Sequence, residues 1–86
     1  MKDLELKTSG IFGLIISESD RQIEKWGIQD RHPFEWLAIL TEEVGELSRA
    51  ILEWEWRNGG KGEVEKEAVQ IATLAMKIGE MFAYEK

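Results

Sequence analysis

Apolar residues recur along this chain at the three- and four-residue spacing of amphipathic helices, and no stretch alternates as a β-strand does. The spacing predicts three helices, at about residues 11–25, 33–56 and 63–84. In the second and third helices the apolar positions form one continuous seam each. We expect these two seams to be the core; they consist of Leu37, Leu40, Val44, Leu47, Ile51 and Trp54 in the second helix, and Val64, Ala68, Ile71, Ala75, Ile78 and Phe82 in the third.

The segments between the predicted helices carry residues that end and start helices. In "WGIQDRHP", Gly27 suits the position that follows a helix, and Pro33 suits the first turn of the next one. His32 has Glu35 three residues on, a pattern typical of a helix start. The Gly-rich turn "RNGGKG", residues 57–62, predicts that the second and third helices form an antiparallel hairpin. The first helix is then expected to pack across this hairpin, and the whole chain is predicted to be a single all-α domain.

The composition excludes several kinds of protein. The chain of 86 residues has no cysteine, which rules out disulfides, zinc-thiolate sites and a cysteine nucleophile. Its net charge of −6 argues against binding to duplex nucleic acid, although a phosphate ligand can still bind through a divalent cation. No apolar run is long enough to span a membrane and the N-terminus lacks a signal-peptide pattern, so we expect a cytoplasmic protein. So short a chain is expected to complete its core by dimerisation.

The segment "TEEVGEL" places three glutamates within one and a half turns of the second helix. Glu42 points nearly opposite to the apolar seam and is expected to face water, whereas Glu43 and Glu46 lie beside the seam. Glu67 and Gln70 lie in the corresponding lateral position on the third helix, so an antiparallel hairpin can bring the two pairs together. Such an oxygen-rich group suits Mg²⁺ or Mn²⁺. The alternative is that these side chains are solvated flanks of an acidic hairpin.

Three stretches of the sequence together are similar to a known family. "RQIEKWGIQDRHPFEWLAIL", "TEEVGELSRAI" and "KEAVQIATLA" resemble the MazG-type all-α nucleoside triphosphate pyrophosphohydrolases, whose pattern is EExxE followed by ExxD. The resemblance covers about residues 20–77, some two-thirds of the chain. It implies a helical bundle completed by dimerisation, with tetramers in some members. It also implies a metal-dependent reaction that splits an NTP or dNTP into a monophosphate and pyrophosphate, often to keep the nucleotide pool clean.

The same resemblance assigns roles by position. Glu43, Glu46 and Glu67 would be metal ligands, and Glu42 would orient or deprotonate the attacking water. Gln70 stands where the family has an aspartate; its amide oxygen can coordinate a metal weakly but brings no charge. This difference leaves three outcomes open: a slower enzyme, an altered metal stoichiometry, or a nucleotide-binding or regulatory module without turnover.

Five further residues are candidates for substrate binding, each with a structural alternative. Lys77 could reach a phosphate, or it could be an ordinary surface lysine. Arg57 and Lys61 flank the Gly-rich turn and could contact phosphates, a neighbouring subunit or only water. Trp26 and Gln29 could form a base pocket, or the Trp26 ring could simply cap the core.

Two other tryptophans and the histidine bear on assembly and on rival functions. Trp54 continues the apolar seam and is predicted to be core, whereas Trp56 points away from it and suggests a subunit interface. His32 is the only histidine, which argues against a di-iron Glu-x-x-His site. From its resemblance to the family, the chain is expected to be a metal-dependent pyrophosphohydrolase. The alternatives are a nucleotide-binding module and a purely structural helical oligomer.

Overall fold

A computed structural model describes residues 8–84, and the regular structure in this range is entirely helical. Helix α1 spans Thr8–Trp26, α2 spans Pro33–Trp56 and α3 spans Lys61–Ala83. The three predicted helices and the all-α class are thereby confirmed, although α1 begins three residues and α3 two residues earlier than predicted. None of the three helices is both long enough and apolar enough to cross a membrane.

The start of α2 is formed by the residues that the sequence indicated. Pro33 occupies the first turn and His32 is the N-cap, with extended backbone. The Phe34 N–H donates to His32 Nδ1 over 3.1 Å, and the His32 N–H donates to Glu35 Oε1, also over 3.1 Å. These bonds satisfy backbone N–H groups that the helix itself leaves unpaired. The predicted role of His32 as a helix-start residue is confirmed.

A tight turn joins α2 to α3. Asn58 has a φ of +57°, in the left-handed region, and the N–H groups of Arg57 and Gly59 both donate to the Glu53 carbonyl, over 2.9 and 2.8 Å. A Cβ on Gly59 would lie 2.9 Å from the carbonyl carbon of Glu53, so this position requires glycine. The turn sends α3 back along α2 and confirms the predicted hairpin.

Helix α3 lies between the other two helices. It packs against both α2 and α1, whereas α1 and α2 make no close backbone contact within residues 8–84. Helix α1 therefore packs against one arm of the hairpin rather than across both. The Lys77 ammonium donates to Gln22 Oε1 over 2.7 Å, which joins α3 to α1 through their side chains.

The buried core of the chain is small. It consists of Ile15 from α1, Trp36 from α2, and Val69 and Leu74 from α3. Thr73 is also buried, and its hydroxyl donates to the Val69 carbonyl over 2.7 Å, so this polar side chain is buried without losing a hydrogen bond.

The two apolar seams are wrong as a prediction of the core of a single chain. Trp54, predicted to be core, is half-exposed, and so is Phe82 at the end of α3. Leu40 and Leu47 are half-buried. The other positions of the α2 seam are between 43% and 51% exposed, namely Leu37, Val44, Ile51 and Trp54.

The difference arises because α2 is rotated relative to the predicted orientation. Besides Leu40 and Leu47, the positions that it covers follow a series that begins one residue earlier: Trp36 is buried and Ile39, Glu43, Ala50 and Glu53 are half-buried, while Glu46 in the same series is exposed. One residue corresponds to about 100° around a helix. Because α3 covers only one side of α2, most of the apolar seam stays half-exposed in a single chain.

Candidate metal centre and adjoining cleft

Three glutamates meet where α2 packs against α3. Glu43 and Glu46 lie three residues apart on α2 and therefore share a face, and Glu67 approaches them from α3. One carboxylate oxygen from each residue lies within 4.8 Å of the other two. The predicted meeting of these three acids across the hairpin is thus what the fold produces. Within residues 8–84 no other group of three acidic or histidine side chains comes together in this way.

Gln70 completes this group as a hydrogen-bond donor. With its amide nitrogen turned toward the acids, it lies 3.0 Å from Glu43 Oε2 and 3.1 Å from Glu67 Oε2. Carboxylates only accept hydrogen bonds when ionised, so the orientation of the amide follows from its neighbours. Gln70 therefore faces the cluster, as predicted, but in this arrangement it donates to the acids rather than offering its oxygen to a cation.

The environment of Glu43 opposes its negative charge. Burial raises the pKa of this carboxyl, and so do the charges of Glu46 and Glu67 and the hydrogen bonds that the protonated Glu43 carboxyl donates to these two carboxylates, which together bring the pKa from 4.5 to about 7. The carboxyl thus takes up a proton far more readily than an ordinary glutamate does. A carboxyl group perturbed in this way by burial and by like charge is typical of functional sites, because a cation or a substrate proton can take up the excess negative charge.

The donor set fits a hard divalent cation. Glu43, Glu46 and Glu67 offer three carboxylate oxygens and no sulfur or imidazole ligand. Mg²⁺ and Mn²⁺ favour oxygen ligands, and Mg²⁺ keeps several water molecules when it binds to few protein groups. Glu46 is exposed whereas the other two are half-buried, so the cluster is accessible to solvent and to a ligand from one side.

A cleft of about 760 Å³ adjoins the cluster, between α1, the loop that follows it, α2 and α3. This volume lies within the range of small-molecule sites, roughly 300–1,000 Å³. Glu43 and Gln70 line it on the side of the cluster. Three residues predicted to bind substrate line it as well: Trp26, Gln29 and Lys77.

Aromatic rings and cationic groups form the part of the cleft near the α1–α2 loop. The Trp26 ring is 52% exposed, which disagrees with the alternative in which it caps the core, and the Lys25 ammonium lies 4.7 Å from its centroid. Trp36 is buried, with the Arg31 guanidinium 5.7 Å from its ring centroid. Arg31 also donates to Gln29 Oε1 over 3.3 Å. An exposed indole beside an amide is suited to a planar, polar ligand such as a nucleobase.

Lys77 enters the same cleft from α3. It is half-buried, and its ammonium donates to Gln22 on α1, so it is not an ordinary surface lysine. Burial lowers the pKa of this amine, and the nearby charge of Glu18 partly opposes that effect. A half-buried ammonium at a cleft wall is a suitable contact for a phosphate group.

Three of the predicted site residues lie outside both the cluster and the cleft. Glu42 is exposed, as expected from its direction on α2, and takes no part in the carboxylate group. Arg57 is exposed and lies 3.8 Å from the Glu53 carboxylate, next to a separate pocket of about 430 Å³ on α2. Lys61 is exposed at the first position of α3. The structure therefore groups seven of the ten predicted site residues and leaves these three apart.

Several residues of the cleft are not evident from the apolar seams. Trp36 lies seven residues before Glu43 on the same stripe of α2, so the direction of Glu43 could have indicated it. Glu18 and Gln22 are four residues apart on α1 and face α3 together, a spacing visible in the sequence. Arg31 reaches the cleft from an irregular loop, and the position of a loop residue cannot be predicted from helical periodicity.

Comparisons of the chain with protein-family models, with curated proteins and with solved structures found no match. The resemblance to MazG-type pyrophosphohydrolases therefore stays a prediction from the sequence. The functional argument rests on the residues of the cluster and of the cleft.

Proposed function

We propose that this protein is a metal-dependent nucleoside triphosphate pyrophosphohydrolase of the MazG type. One observation carries the proposal: the three-glutamate cluster adjoins, through Glu43, a cleft that also contains an exposed indole, an amide and an ammonium group. These are the groups needed for a metal-bound triphosphate, for a base and for a phosphate oxygen. The sequence motifs that resemble the family fall on these same residues, which adds support.

In this proposal Glu43, Glu46 and Glu67 hold the metal ion. When bound, Mg²⁺ or Mn²⁺ would neutralise the triphosphate and polarise the α-phosphorus. Gln70 holds the carboxylates of Glu43 and Glu67 in place through its two N–H groups, whose hydrogen bonds fix the spacing of the ligand oxygens across the hairpin. The three acids then bind one cation from both arms.

The cleft residues bind and orient the nucleotide. Trp26 stacks on the base, Gln29 contacts its polar edge, and Lys77 contacts a phosphate oxygen. The reaction forms a bond from a water oxygen to the α-phosphorus and breaks the bond from that phosphorus to the α–β bridging oxygen. Pyrophosphate leaves, and the water proton passes to a carboxylate. The resemblance to the family assigns this role to Glu42, although Glu42 is exposed and lies outside the cluster and the cleft.

The proposed enzyme is a homodimer or a tetramer. Its support is the apolar seam of α2, which remains half-exposed in one chain although α3 packs along α2. A second copy that packs on this seam would bury it and add stability that so small a core lacks.

The decisive experiment is a panel of NTPs and dNTPs assayed for pyrophosphate with Mg²⁺ or Mn²⁺. We expect pyrophosphate and the corresponding monophosphate from at least one of them, and loss of activity on addition of EDTA or in Glu46→Gln and Glu67→Gln. Glu42→Gln should lower kcat and leave the stabilisation by Mg²⁺ intact if Glu42 accepts the water proton. Orthophosphate as the released product, or activity that persists in both ligand variants, would exclude this function.

A nucleotide-binding module without turnover is the second candidate. The observation in its favour is Gln70, which donates hydrogen bonds where the family has a fourth carboxylate, so only three charged ligands remain. This candidate predicts Mg²⁺-dependent binding of a triphosphate, seen by calorimetry, with no pyrophosphate released over hours. If the protein binds no nucleotide in the presence of either Mg²⁺ or Mn²⁺, both candidates are contradicted and a structural helical oligomer is favoured.

A further inference from the structure

A continuous hydrogen-bonded network connects α1 to Lys77. Arg21 donates to both carboxylate oxygens of Glu18, over 2.9 and 2.7 Å. Gln22 donates to Glu18 Oε2 over 2.7 Å and accepts from the Lys77 ammonium through its Oε1, also over 2.7 Å. All four side chains line the cleft that adjoins the glutamate cluster.

The Gln22 amide has one orientation in this network. Its nitrogen faces an acceptor, the Glu18 carboxylate, and its oxygen faces a donor, the Lys77 ammonium, so a flip of the amide would break both bonds. The Glu18 carboxylate accepts three hydrogen bonds, all from α1. The pKa of Glu18 is lowered chiefly by the hydrogen bond from Arg21, as expected for a carboxylate held in its charged form.

The amide consequently separates Lys77 from the nearest acid. Without Gln22, the ammonium would be drawn into an ion pair with Glu18, which already attracts it through space. With Gln22 in place, the ammonium donates a single hydrogen bond, to an uncharged amide oxygen. An ammonium has three N–H donors, and among residues 8–84 the other two have no acceptor.

The direction of Lys77 relates this network to the metal centre. Lys77 lies seven residues after Gln70 on the same side of α3, which corresponds to about 10 Å along the helix. A polyphosphate that is held at one end by the glutamate cluster would thus extend along α3 toward the ammonium. Arg21, engaged by both oxygens of Glu18, stays at the rim of the cleft.

We propose that Lys77 is the anion-binding group of a polyphosphate subsite and that Gln22 is its positioning residue, which keeps the ammonium directed into the cleft and out of an ion pair with Glu18. The proposal rests on the proposed function, since it assigns part of the same cleft. It adds a role for α1, which supplies no metal ligand. Gln22 acts only through Lys77 and contacts no substrate atom.

The test uses inorganic tripolyphosphate, which has no base, so that the phosphate subsite is probed alone. Its binding to the full chain is measured by calorimetry in the presence of Mg²⁺. Lys77→Met should raise the Kd about tenfold through loss of a charge-assisted hydrogen bond. Gln22→Met should raise it about threefold to fivefold, because the ammonium is retained but is drawn toward Glu18. Lys66→Met, on the exposed side of α3, is the control for the loss of one positive charge and should leave the Kd unchanged.

The double variant Gln22→Met with Lys77→Met decides whether Gln22 acts through Lys77. We expect it to bind as Lys77→Met does, because two residues that act through one contact are not additive. If Gln22→Met weakens binding equally in the wild-type chain and in the Lys77→Met chain, Gln22 supports the fold and not the ammonium, and the proposal is wrong. Wild-type protein that binds no tripolyphosphate, or a Lys77→Met variant that matches Lys66→Met, would also overturn it. If Lys77→Met does not fold, Lys77→Gln keeps a polar partner for Gln22 and should show the same tenfold loss.

A kinetic measurement separates this subsite from the proposed function. For an active substrate, Lys77→Met and Gln22→Met should raise KM with a smaller effect on kcat. Pyrophosphate release with an unchanged KM in both variants would refute the subsite and leave the proposed function standing. Tripolyphosphate binding that obeys the double-variant pattern, without pyrophosphate from any nucleotide, would refute the function and leave the subsite standing.

Discussion

Glu43 combines three influences that all oppose its negative charge: burial between two helices, the proximity of Glu46 and Glu67, and hydrogen bonds with those two acids. Among the described residues, Gln70 opposes them with a single N–H that favours the charged form of Glu43. Glu43 therefore lowers the stability of the metal-free protein. Such a loss of stability is common at binding sites, where residues are retained for function.

The stability of the metal-free protein should depend on pH through Glu43. The pKa of this carboxyl is raised from 4.5 to about 7, so between these values the folded chain holds more protons than the unfolded chain. The contribution of the group to stability is therefore fully present below pH 4.5 and is lost as the pH rises through about 7. Urea midpoints in EDTA should fall from pH 5 to pH 8.

Other acids titrate in the lower part of this window, so the effect must be measured by difference. Glu43→Gln should show a shallower decline than wild type, whereas Glu65→Gln, an exposed position on α3, should show the wild-type decline. Parallel curves for wild type and Glu43→Gln would contradict the raised pKa.

Glu43→Gln should also separate stability from metal binding. Without metal at pH 8 the variant should melt slightly above wild type, with an increase in stability within about 1 kcal/mol, because like-charge repulsion is removed. Mg²⁺ should stabilise wild type and leave the variant unaffected, since a ligand shifts melting only by binding to the native state. A variant that melts lower in EDTA and responds fully to Mg²⁺ would mean that Glu43 is not a ligand.

Gln70→Asp should reverse its effect on stability when metal is added. Without metal it removes the two hydrogen bonds to Glu43 and Glu67 and adds a fourth carboxylate, at a cost of about 1–3 kcal/mol. With Mg²⁺ or Mn²⁺ the new carboxylate becomes a ligand, the variant should be stabilised more than wild type, and pyrophosphate release should rise. Melting curves of both proteins with and without metal measure this difference. If the metal raises the Tm of both proteins equally, position 70 takes no part in the site.

The helices themselves could be predicted from the sequence, but their rotation about their axes could not. The start of α2 at His32 and Pro33 follows from local rules, because the groups that form it are neighbours in the chain. The meeting of Glu43 with Glu67 could also be predicted, since a short turn fixes the register of two antiparallel helices. The direction in which α2 faces α3 could not, because the apolar seam is an equally good surface for a second copy of the chain. The role of Gln70 as a hydrogen-bond donor depends on atoms from both helices, and the spacing of residues along one helix cannot predict such a contact.

In the turn between α2 and α3, Gly59 should tolerate substitution poorly. Gly59→Ala should destabilise the fold by about 1–3 kcal/mol, because its Cβ would lie 2.9 Å from the backbone carbon of Glu53 and the turn would have to open. Gly79→Ala, inside α3 with no atom within 4 Å of the new Cβ, should instead stabilise by about 0.5–1 kcal/mol. Denaturant titrations measure both. A Gly59→Ala variant as stable as wild type would show that the close approach to Glu53 is easily relieved.

The molecule as a whole has more apolar surface than its three helices can cover. Only four apolar side chains are buried in the described residues, while the seam of α2 is half-exposed. Exposed patches of this kind mark interfaces. We therefore expect an oligomer at micromolar concentration, with a mass by light scattering at least twice that of one chain.

Val44→Lys should convert this oligomer to a monomer and lower its stability, because it places a charge in the middle of the seam. Leu52→Lys is the matched control: it lies on the same helix and is equally exposed, at 52% against 50%, but lies off the seam. It should leave the mass unchanged. Monomeric wild-type protein would contradict the expected oligomer. An oligomer that persists in Val44→Lys and dissociates in Leu52→Lys would show that the interface is not the seam.

Helix α3 lies between two helices that do not touch each other, and this position affects the order in which the parts of one chain fold. The contacts of α2 with α3 join residues that are close in the chain, and such local contacts form fastest. The proposed metal ligands all belong to this hairpin, whereas Trp26 and Gln22 belong to α1, which packs against α3 alone. We expect a folding intermediate in which the cation centre is complete and the nucleotide cleft is not. Partial unfolding of the native protein should then release α1 first, so that nucleotide binding is lost at lower denaturant concentration than metal binding.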